Sequence, residues 1–571
     1  MSADASLLSH RLPAWRSRAL LLALLLFFFS LAGRAVYLQG MNHDFYRQKG
    51  EERYSHVLKV SENRGMITDR HGEPLAISTP MESAWLNPKE VKFTRNSLAR
   101  LAKLLEMPPE EIKRIAAASD RNFFYLKRRL PPEVAGQVVA LGIPGVSLER
   151  EYRRYYPEAE VAAHVIGYTG VDDQGQEGIE LAYEEVIAGV PGKRRVIKNR
   201  LGQIVENVGA VHASRAGTDL ALSLDKRIQY LAYRELKAAV AEHKAKGGGI
   251  VVLDANTGEV LALANYPSFN PNNRAQLAAE RTRNRAITDL FEPGSTLKSF
   301  TVAAALEANL VRPDTLVDTA PGQYKVGAKT IRDIHPNGVL TVAEIVQKSS
   351  NVGAAKIGLA LKPEQLWRML HEAGFGSPPN SGFPGEGAGK LRPYESWRPI
   401  EQATMSFGHG ISVSLLQLAR AYTLFSSDGE LKPVSLLKLD QPLKSERVMS
   451  PSTAKNVRAM LELVSQEGGT ATRAQVSGYR VAGKTGTAHK LENGAYSTDR
   501  YVASFVGFAP VSHPKLVVAV MLDEPGAGDH FGGVVAAPVF SGVMAGSLRL
   551  LSVAPDAPVE NLLLAQERSV P

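Results

Sequence analysis

The residues best suited to covalent chemistry are Ser295 and Lys298, three apart in Glu292-Pro293-Gly294-Ser295-Thr296-Leu297-Lys298. On a helix this spacing puts Lys298 on the same face as Ser295, within reach of its hydroxyl. A lysine acts as a base near neutral pH only if burial and a second cation lower its pKa, and Lys484 of Lys484-Thr485-Gly486-Thr487 is the candidate second cation. Ser349-Ser350-Asn351 adds a further hydroxyl and a side-chain amide. The chemistry these residues predict is acyl transfer through a serine ester.

Each pattern is common by itself. Ser452-Thr453-Ala454-Lys455 repeats S-x-x-K, and Ser268-Phe269-Asn270 and Ser61-Glu62-Asn63 repeat S-x-N. Order and context separate them. Pro293-Gly294 closes an irregular segment, and Thr296 to Leu306 is apolar and alanine-rich, so Ser295 is expected at a helix N-terminus, where backbone N–H groups favour developing negative charge. Ser452 follows the S-x-N element and, beside Pro451, reads as an ordinary helix cap. A competing pattern, Gly478-Tyr479-Arg480-Val481-Ala482-Gly483-Lys484-Thr485, matches the P-loop G-x-x-x-x-G-K-T, and Val517 to Leu522 with Asp523-Glu524 imitates a Walker B strand. A P-loop needs a helix starting at its lysine; here Tyr479 to Ala482 reads as strand and Gly486 stands where the helix would begin, so no nucleotide site is expected.

The 571 residues, 44% of them hydrophobic, suffice for two or three domains with real cores. A net charge of +9 without a basic block gives no support to a nucleic-acid partner. The absence of cysteine excludes disulfides and thiolate metal sites, and no H-E-x-x-H occurs among the 13 histidines, so no metal or other cofactor is expected. Ala19 to Gly33 is uncharged and mostly Leu and Phe; with Arg34 snorkelling, the apolar run covers 19–39, long enough to cross a bilayer. Arg11, Arg16 and Arg18 precede it, so the tail 1–18 is expected in the cytoplasm and the rest outside. A cleaved signal peptide is the alternative, but the run is long for one and no A-x-A site follows. A single uncleaved anchor is expected.

Beyond the anchor, 40–224 reads as a mixed domain, with a helical patch near 96–118 split by Pro108-Pro109. A second domain, 225–552, begins with a helix from Arg227 to Val240 that Gly247-Gly248-Gly249 is expected to end. Ile250–Asp254 and Glu259–Asn265 read as a hairpin turning at Asn256-Thr257-Gly258. Arg480–Lys484, Tyr501–Ala509 and Leu516–Leu522 read as three further strands, and about Ala536 to Leu551 as a closing helix, before a loose tail at 553–571. The fold class is α/β of the α+β kind: a five-stranded antiparallel sheet flanked by helices, with an all-helical lobe between strands two and three. The cleft between sheet and lobe is where the three motifs meet.

At this point the chain resembles the class B penicillin-binding proteins, and within them the division-specific peptidoglycan D,D-transpeptidases of the FtsI or penicillin-binding protein 3 type. The resemblance rests on Arg64-Gly65-Met66-Ile67-Thr68-Asp69-Arg70 with Gly72, Pro74-Leu75-Ala76, Tyr156-Pro157, His164-Val165-Ile166-Gly167 and Gly178-Ile179-Glu180. It continues in Arg283-Asn284-Arg285-Ala286, Phe407-Gly408-His409-Gly410 and Lys484-Thr485-Gly486-Thr487-Ala488. The resemblance implies that Ser295 is the acylated nucleophile, Lys298 its base, Ser349 a proton relay and Asn351 a ligand of substrate amide and lysine. It implies that Lys484, Thr485 and Thr487, on the strand that includes Gly486, hold the substrate carboxylate, and that the N–H groups of Ser295 and Thr487 form an oxyanion hole. Arg64 and Asp69 are expected to hold together a pedestal between membrane and catalytic domain. Ser299 departs from the family pattern, standing where many relatives have proline.

The implied substrates are peptidoglycan stem peptides, with β-lactam antibiotics as covalent inhibitors. The implied setting is the inner membrane at the division site, catalytic domain in the periplasm, with a membrane glycan polymerase and other division proteins as partners. A serine β-lactamase or D,D-carboxypeptidase using the same core, a β-lactam sensor and a non-catalytic scaffold stay open as alternatives. His409 and Glu292 read as packing and hydrogen-bonding residues ahead of catalytic ones.

Overall fold

The apolar N-terminal run folds as one helix, Ala14–Val36, whose last turn widens over Tyr37–Met41. Leu22 and Phe28 keep 62% and 65% of their surface exposed, and none of the helix is buried. A helix apolar on every side and 28 residues long through Met41 suits hydrocarbon as its surroundings. Gly532–Leu550 passes the same test of length and hydropathy but is half buried, and Phe540, Val543 and Leu548 belong to the core of the larger unit. The computed structural model describes residues 14–46, 55–60, 62–117, 123–198, 204–273, 275, 277–492 and 495–557. The first part of the expected cytoplasmic tail, Ser61 of one S-x-N repeat and 558–571 of the C-terminal tail lie outside them.

The chain divides into two units that are not contiguous in sequence. One holds Met1–Glu62, Pro80–Tyr152 and Val190–Arg215; the other Asn63–Thr79, Arg153–Gly189 and Ala216–Pro571. Three stretches that the sequence reading gives to the pedestal, 63–79, 153–189 and 216–224, therefore group with the larger unit. In the smaller unit, Pro108-Pro109 separates Arg95–Leu105 from Pro109–Ala117 as expected, and Thr94 with Ser97 forms a capping box at the start of the first. Leu98, Leu101, Leu105 and Ile112 pack with Leu126, Leu130 and Val138 into one apolar cluster.

The larger unit is built on five strands: β1 (Gly247–Asp254), β2 (Val260–Tyr266), β3 (Ala482–Glu492), β4 (Ala495–Ala509) and β5 (Leu516–Asp523). Their order is β2-β1-β5-β4-β3, antiparallel throughout, with β3 at one edge. Every residue of β5 is buried, and so is β1 up to Asp254, because helices cover both faces. A Cβ on Gly248 would meet Leu236 of the Lys226–Glu242 helix, and one on Gly249 would meet Leu415 of the Leu415–Ser426 helix. Adjacent strand residues point to opposite faces, so the two helices lie on opposite sides.

Those glycines correct one expectation. The Lys226–Glu242 helix caps at His243, and Gly247 to Gly249 open β1 instead of ending the helix. They are needed for close approach: a Cβ on Gly248 would stand 2.6 Å from the Met521 carbonyl oxygen of β5. The lobe between β2 and β3 is mainly helical, and it adds three short antiparallel pairs, Leu316–Asp318 with Val339–Thr341, Gln323–Val326 with Lys329–Arg332, and Glu430–Leu431 with Glu446–Arg447.

Arg64 and Asp69 both anchor the larger unit. Arg64, 2% exposed, meets Glu180 at 2.6 Å and Glu184 at 2.5 Å, and Arg154 meets the other oxygen of Glu180 at 2.6 Å. Asp69 accepts the N–H groups of His71 and Glu73 and that of Lys226, where the Lys226–Glu242 helix starts. Removing one partner of a buried ion pair leaves uncompensated charge, at a cost of about 3–5 kcal/mol. Glu180→Ala strands Arg154 and leaves Arg64 with Glu184 alone, so urea unfolding of the variant is expected to show a loss of at least about 3 kcal/mol. A loss within 0.5 kcal/mol of zero, roughly the level of a surface substitution, would show that the network does not hold this unit together.

Candidate active site

Ser295 lies in a 3-10 turn, Gly294–Leu297, and the α-helix begins only at Lys298 (Lys298–Glu307). The α-helix thus starts two residues later than the expected Thr296. The tighter turn serves the pair: at three residues per turn, positions i and i+3 eclipse, and Lys298 Nζ stands 2.9 Å from Ser295 Oγ. The turn is fixed from below by Tyr422, whose hydroxyl donates to the Thr296 carbonyl at 2.8 Å and lies 3.2 Å from Ser299 Oγ. Ser299 thus places a buried hydroxyl against Tyr422.

The S-x-N element arrives through a corner between two helices. Val342–Lys348 ends at Ser349, which adopts a left-handed conformation with φ 61°, and Ser350 caps Asn351–Ala360. A left-handed non-glycine residue carries roughly 1–2 kcal/mol of strain. Here it aims both the carbonyl and the hydroxyl of Ser349 at the lysine, at 2.6 Å and 3.0 Å from Nζ. Asn351 Oδ1 completes the set at 2.8 Å.

Asp333 holds this corner, and nothing in the sequence singled it out. Its Oδ1 accepts the N–H groups of Asn351 and Val352 at 2.5 Å and 2.9 Å, and its Oδ2 accepts the Ser350 hydroxyl at 2.7 Å. A carboxylate on the first N–H groups of a helix is favoured by both hydrogen bonding and the helix dipole. Asn351 Nδ2 donates to the Arg332 carbonyl at 3.0 Å, which fixes its amide oxygen toward Lys298. The residues that orient the site therefore end one of the short pairs in the lobe.

Lys298 is wholly buried. Burial first, and the charge of Lys484 second, hold its pKa well below the ordinary lysine value, against a smaller opposing pull from Asp333. Lys484 is also wholly buried, and burial lowers its pKa to about 7. A neutral amine has two N–H donors and one lone pair. The Ser349 carbonyl and Asn351 Oδ1 can only accept, so they take the two donors. The lone pair is left for the hydroxyls of Ser295 and Ser349, both within 3.0 Å. That arrangement can draw a proton from Ser295 and pass one through Ser349.

Lys484, Thr485, Gly486 and Thr487 all lie within β3, in register with β4 from Val506 to Ala503. Only Ala482 to Thr485 of the P-loop pattern lies on β3; Tyr479 to Val481, expected as strand, precede it, no helix begins at the lysine, and Asp523 of the Walker-like strand pairs with Lys490 at 2.8 Å. Gly486 lets the nucleophile turn come close: a Cβ there would stand 2.8 Å from the Pro293 carbonyl and 3.1 Å from Thr296 Cγ2. Thr485 Oγ1 lies 3.0 Å from Thr470 Oγ1, and Thr487 Oγ1 accepts the Gly532 N–H at 3.1 Å. Neither Thr470 nor Gly532 carries a sequence signal. The rival serine is not the cap it was expected to be: Ser450 caps Pro451–Leu463, accepting the Thr453 N–H, and Ser452 sits inside the first turn. Glu292 and His409 do hydrogen-bond, to each other at 2.9 Å, and Glu292 also accepts the Gly410 N–H and the Tyr496 hydroxyl.

Comparison with known proteins bears on the same residues. The profile of the penicillin binding protein transpeptidase domain matches 248–545, and that of the penicillin-binding protein dimerisation domain matches 59–222. The chain is 44% identical over 543 residues to a probable peptidoglycan D,D-transpeptidase PenA of Neisseria meningitidis, covering 94% of this chain and 93% of that one. It is 42% identical over 550 residues to the peptidoglycan D,D-transpeptidase FtsI of Escherichia coli, covering 95% and 93%. The apo transpeptidase domain of Burkholderia pseudomallei penicillin-binding protein 3 superposes with a TM-score of 0.55 at 50% identity, covering 59% of this chain and 98% of that domain.

The two buried lysines give a pH dependence with a definite sign. Protonating Lys298 removes the lone pair, so acylation of Ser295 is lost as pH falls through the pKa of that amine. Lys484 helps to hold this pKa down, so Lys484→Met is expected to move the acid limb to higher pH. The rate of labelling by a fluorescent penicillin, followed across pH in both proteins, checks this. Superimposable acid limbs, whatever their heights, would mean that Lys484 has no electrostatic hold on the base.

Proposed function

The chain belongs to the penicillin-binding protein transpeptidases, and we propose that Ser295 carries the acyl group in its peptidoglycan D,D-transpeptidase reaction. The observation that supports this is the Lys298 amine nitrogen within 3.0 Å of Ser295 Oγ, Ser349 Oγ, the Ser349 carbonyl and Asn351 Oδ1. Ser295 Oγ attacks the penultimate D-Ala carbonyl of a donor stem peptide while its proton passes to Lys298. The N–H groups of Ser295 and Thr487 receive the developing oxyanion, each donor worth roughly 3 kcal/mol. The C–N bond to the terminal D-Ala breaks, and that amine leaves with a proton returned by way of Lys298 and the Ser349 hydroxyl.

An acceptor amine from a second stem then attacks the ester. The new C–N bond forms as the C–Oγ bond breaks, and the amine proton returns through Lys298 to Ser295. Asn351 orients the donor amide, and Lys484, Thr485 and Thr487 hold its carboxylate end along β3, with Gly486 leaving room for the turn. β-Lactams imitate the donor and leave an ester that water removes slowly. Division of the chain near residue 224, with a transpeptidase domain over 225–552, is supported by the two profile matches falling on either side. Anchoring by Ala14–Met41 with the N-terminus in the cytoplasm is supported by that helix and by Arg16 and Arg18 near its start. The setting is the division site, beside a glycan polymerase and other division proteins.

Full-length protein in detergent, incubated with a fluorescent penicillin, is expected to take up a label that persists for many minutes and is absent from Ser295→Ala. Label lost within seconds would instead indicate a β-lactamase. An unlabelled but folded wild type would leave a non-catalytic scaffold.

A further inference from the structure

Directly after the catalytic lysine stands Ser299, wholly buried together with Thr296 and Tyr422. A hydroxyl shut away from water needs a partner. Among the described residues that of Ser299 has one, the Tyr422 phenol at 3.2 Å. A proline in its place, as in the family pattern, would bring neither a hydroxyl nor an N–H.

Counting hydrogens gives this contact a direction. Tyr422 has one O–H hydrogen, and the Thr296 carbonyl, which can only accept, takes it at 2.8 Å. The phenol oxygen is then left as an acceptor, so Ser299 is the donor of the pair. Burial pushes the pKa of the Tyr422 phenol up, which keeps that hydrogen in place. A donor that itself accepts a hydrogen bond is polarised and holds its own acceptor more firmly. The three groups thus form one directed chain, from Ser299 Oγ through Tyr422 Oη to the Thr296 carbonyl.

The receiving end of the chain belongs to the nucleophile. Thr296 follows Ser295 directly, and its hydroxyl donates to the Pro293 carbonyl at 2.9 Å, so the residue is tied at its side chain and at its carbonyl. The other end is fixed to the fold. Tyr422 lies on the Leu415–Ser426 helix, and its ring packs edge-on against Phe300 at 5.7 Å and Phe425 at 5.4 Å. A buried ring packed in this way has little room to shift. It therefore carries the position of that helix to the turn holding Ser295. Position matters there, because Ser295 Oγ stands 2.9 Å from Lys298 Nζ, and a misplacement of about 1 Å can cost about a hundredfold in rate.

We propose that Ser299 is a positioning residue for the acylation step, acting through Tyr422 to hold the Thr296 carbonyl and with it the Ser295 hydroxyl. It touches neither substrate nor reacting atom. The proposal rests on the reading of Ser295 as the acylated residue, and it adds a residue that works from behind the turn.

The test follows acylation of full-length protein in detergent by a fluorescent penicillin, mixed rapidly over a range of concentrations. The limiting first-order rate and the half-saturating concentration are read separately, and unfolded protein enters neither. Ser299→Ala is expected to lower the limiting rate about three- to tenfold, the weight of one hydrogen bond, with half-saturation within about twofold of wild type. Tyr422→Phe keeps the ring but strands both the Thr296 carbonyl and the Ser299 hydroxyl, so a fall of at least about tenfold is expected. In that background Ser299→Ala removes a hydroxyl that has already lost its partner, and the rate should stay within about twofold or rise. An unchanged rate in Ser299→Ala, a change in half-saturation alone, or equal slowing in both backgrounds would each overturn the assignment. A wild type that takes no label, or a Ser295→Ala protein that does, would strike the Ser295 reading instead, which keeps the two failures apart.

Discussion

The structure depends on burying one lysine beside a second, which lowers the pKa of its amine. An isolated ammonium moved from water into an apolar interior is so costly that the group gives up its proton instead. Lys298 is wholly buried, and Lys484, wholly buried too, adds a like charge nearby. A neutral amine still has two donors that must be satisfied, and the Ser349 carbonyl and the Asn351 amide oxygen satisfy them. The lone pair that remains is the chemical resource of the site. Burial of Lys298 and the chemistry of Ser295 are therefore one requirement met by one arrangement.

Much of the surrounding structure exists to supply those two acceptors in the right direction. Ser349 can present its carbonyl only from a left-handed conformation, which is strained for a serine. Two helices and the Asp333 carboxylate hold it there: the ladder of each helix ends at the corner, and Asp333 gathers three hydrogen bonds from Ser350, Asn351 and Val352. The Arg332 carbonyl turns the Asn351 amide the correct way round. On the other side, Tyr422 clamps the tight turn that eclipses Ser295 with Lys298.

The sheet contributes position more than chemistry. β3 is an edge strand, so one side of its backbone is not taken up by a neighbouring strand, and the nucleophile turn can lie against it at Gly486. A side chain at that glycine would push Pro293 and Thr296 away and part the serine from the strand. The covered faces of β1 and β5 make this edge a rigid reference. The family relationship fits this division of labour, since the matched transpeptidase domain spans both the sheet and the lobe inserted in it.

The sequence by itself determined which groups could react and where most elements would run. Ser295, Lys298, Ser349, Asn351 and Lys484 stood out because their types and order carry chemistry, and the β1–β2 hairpin, β5 and the closing helix stood out because local turn and hydrophobic signals are strong over short range. The same local signals misread Gly247 to Gly249 as a helix stop, because the sequence does not show that β5 passes 2.6 Å from where a side chain would be. They put Ser295 at an α-helix start, because a 3-10 turn and a first helical turn look alike until Tyr422 arrives from 126 residues away to fix one of them. Asp333, Thr470 and Gly532 were invisible for the same reason: each acts through a contact with another part of the chain, and an aspartate, a threonine or a glycine by itself carries no mark of it. Only tertiary structure decides which acceptors surround the buried amine, because the proton state of Lys298 depends on distances that no local pattern encodes.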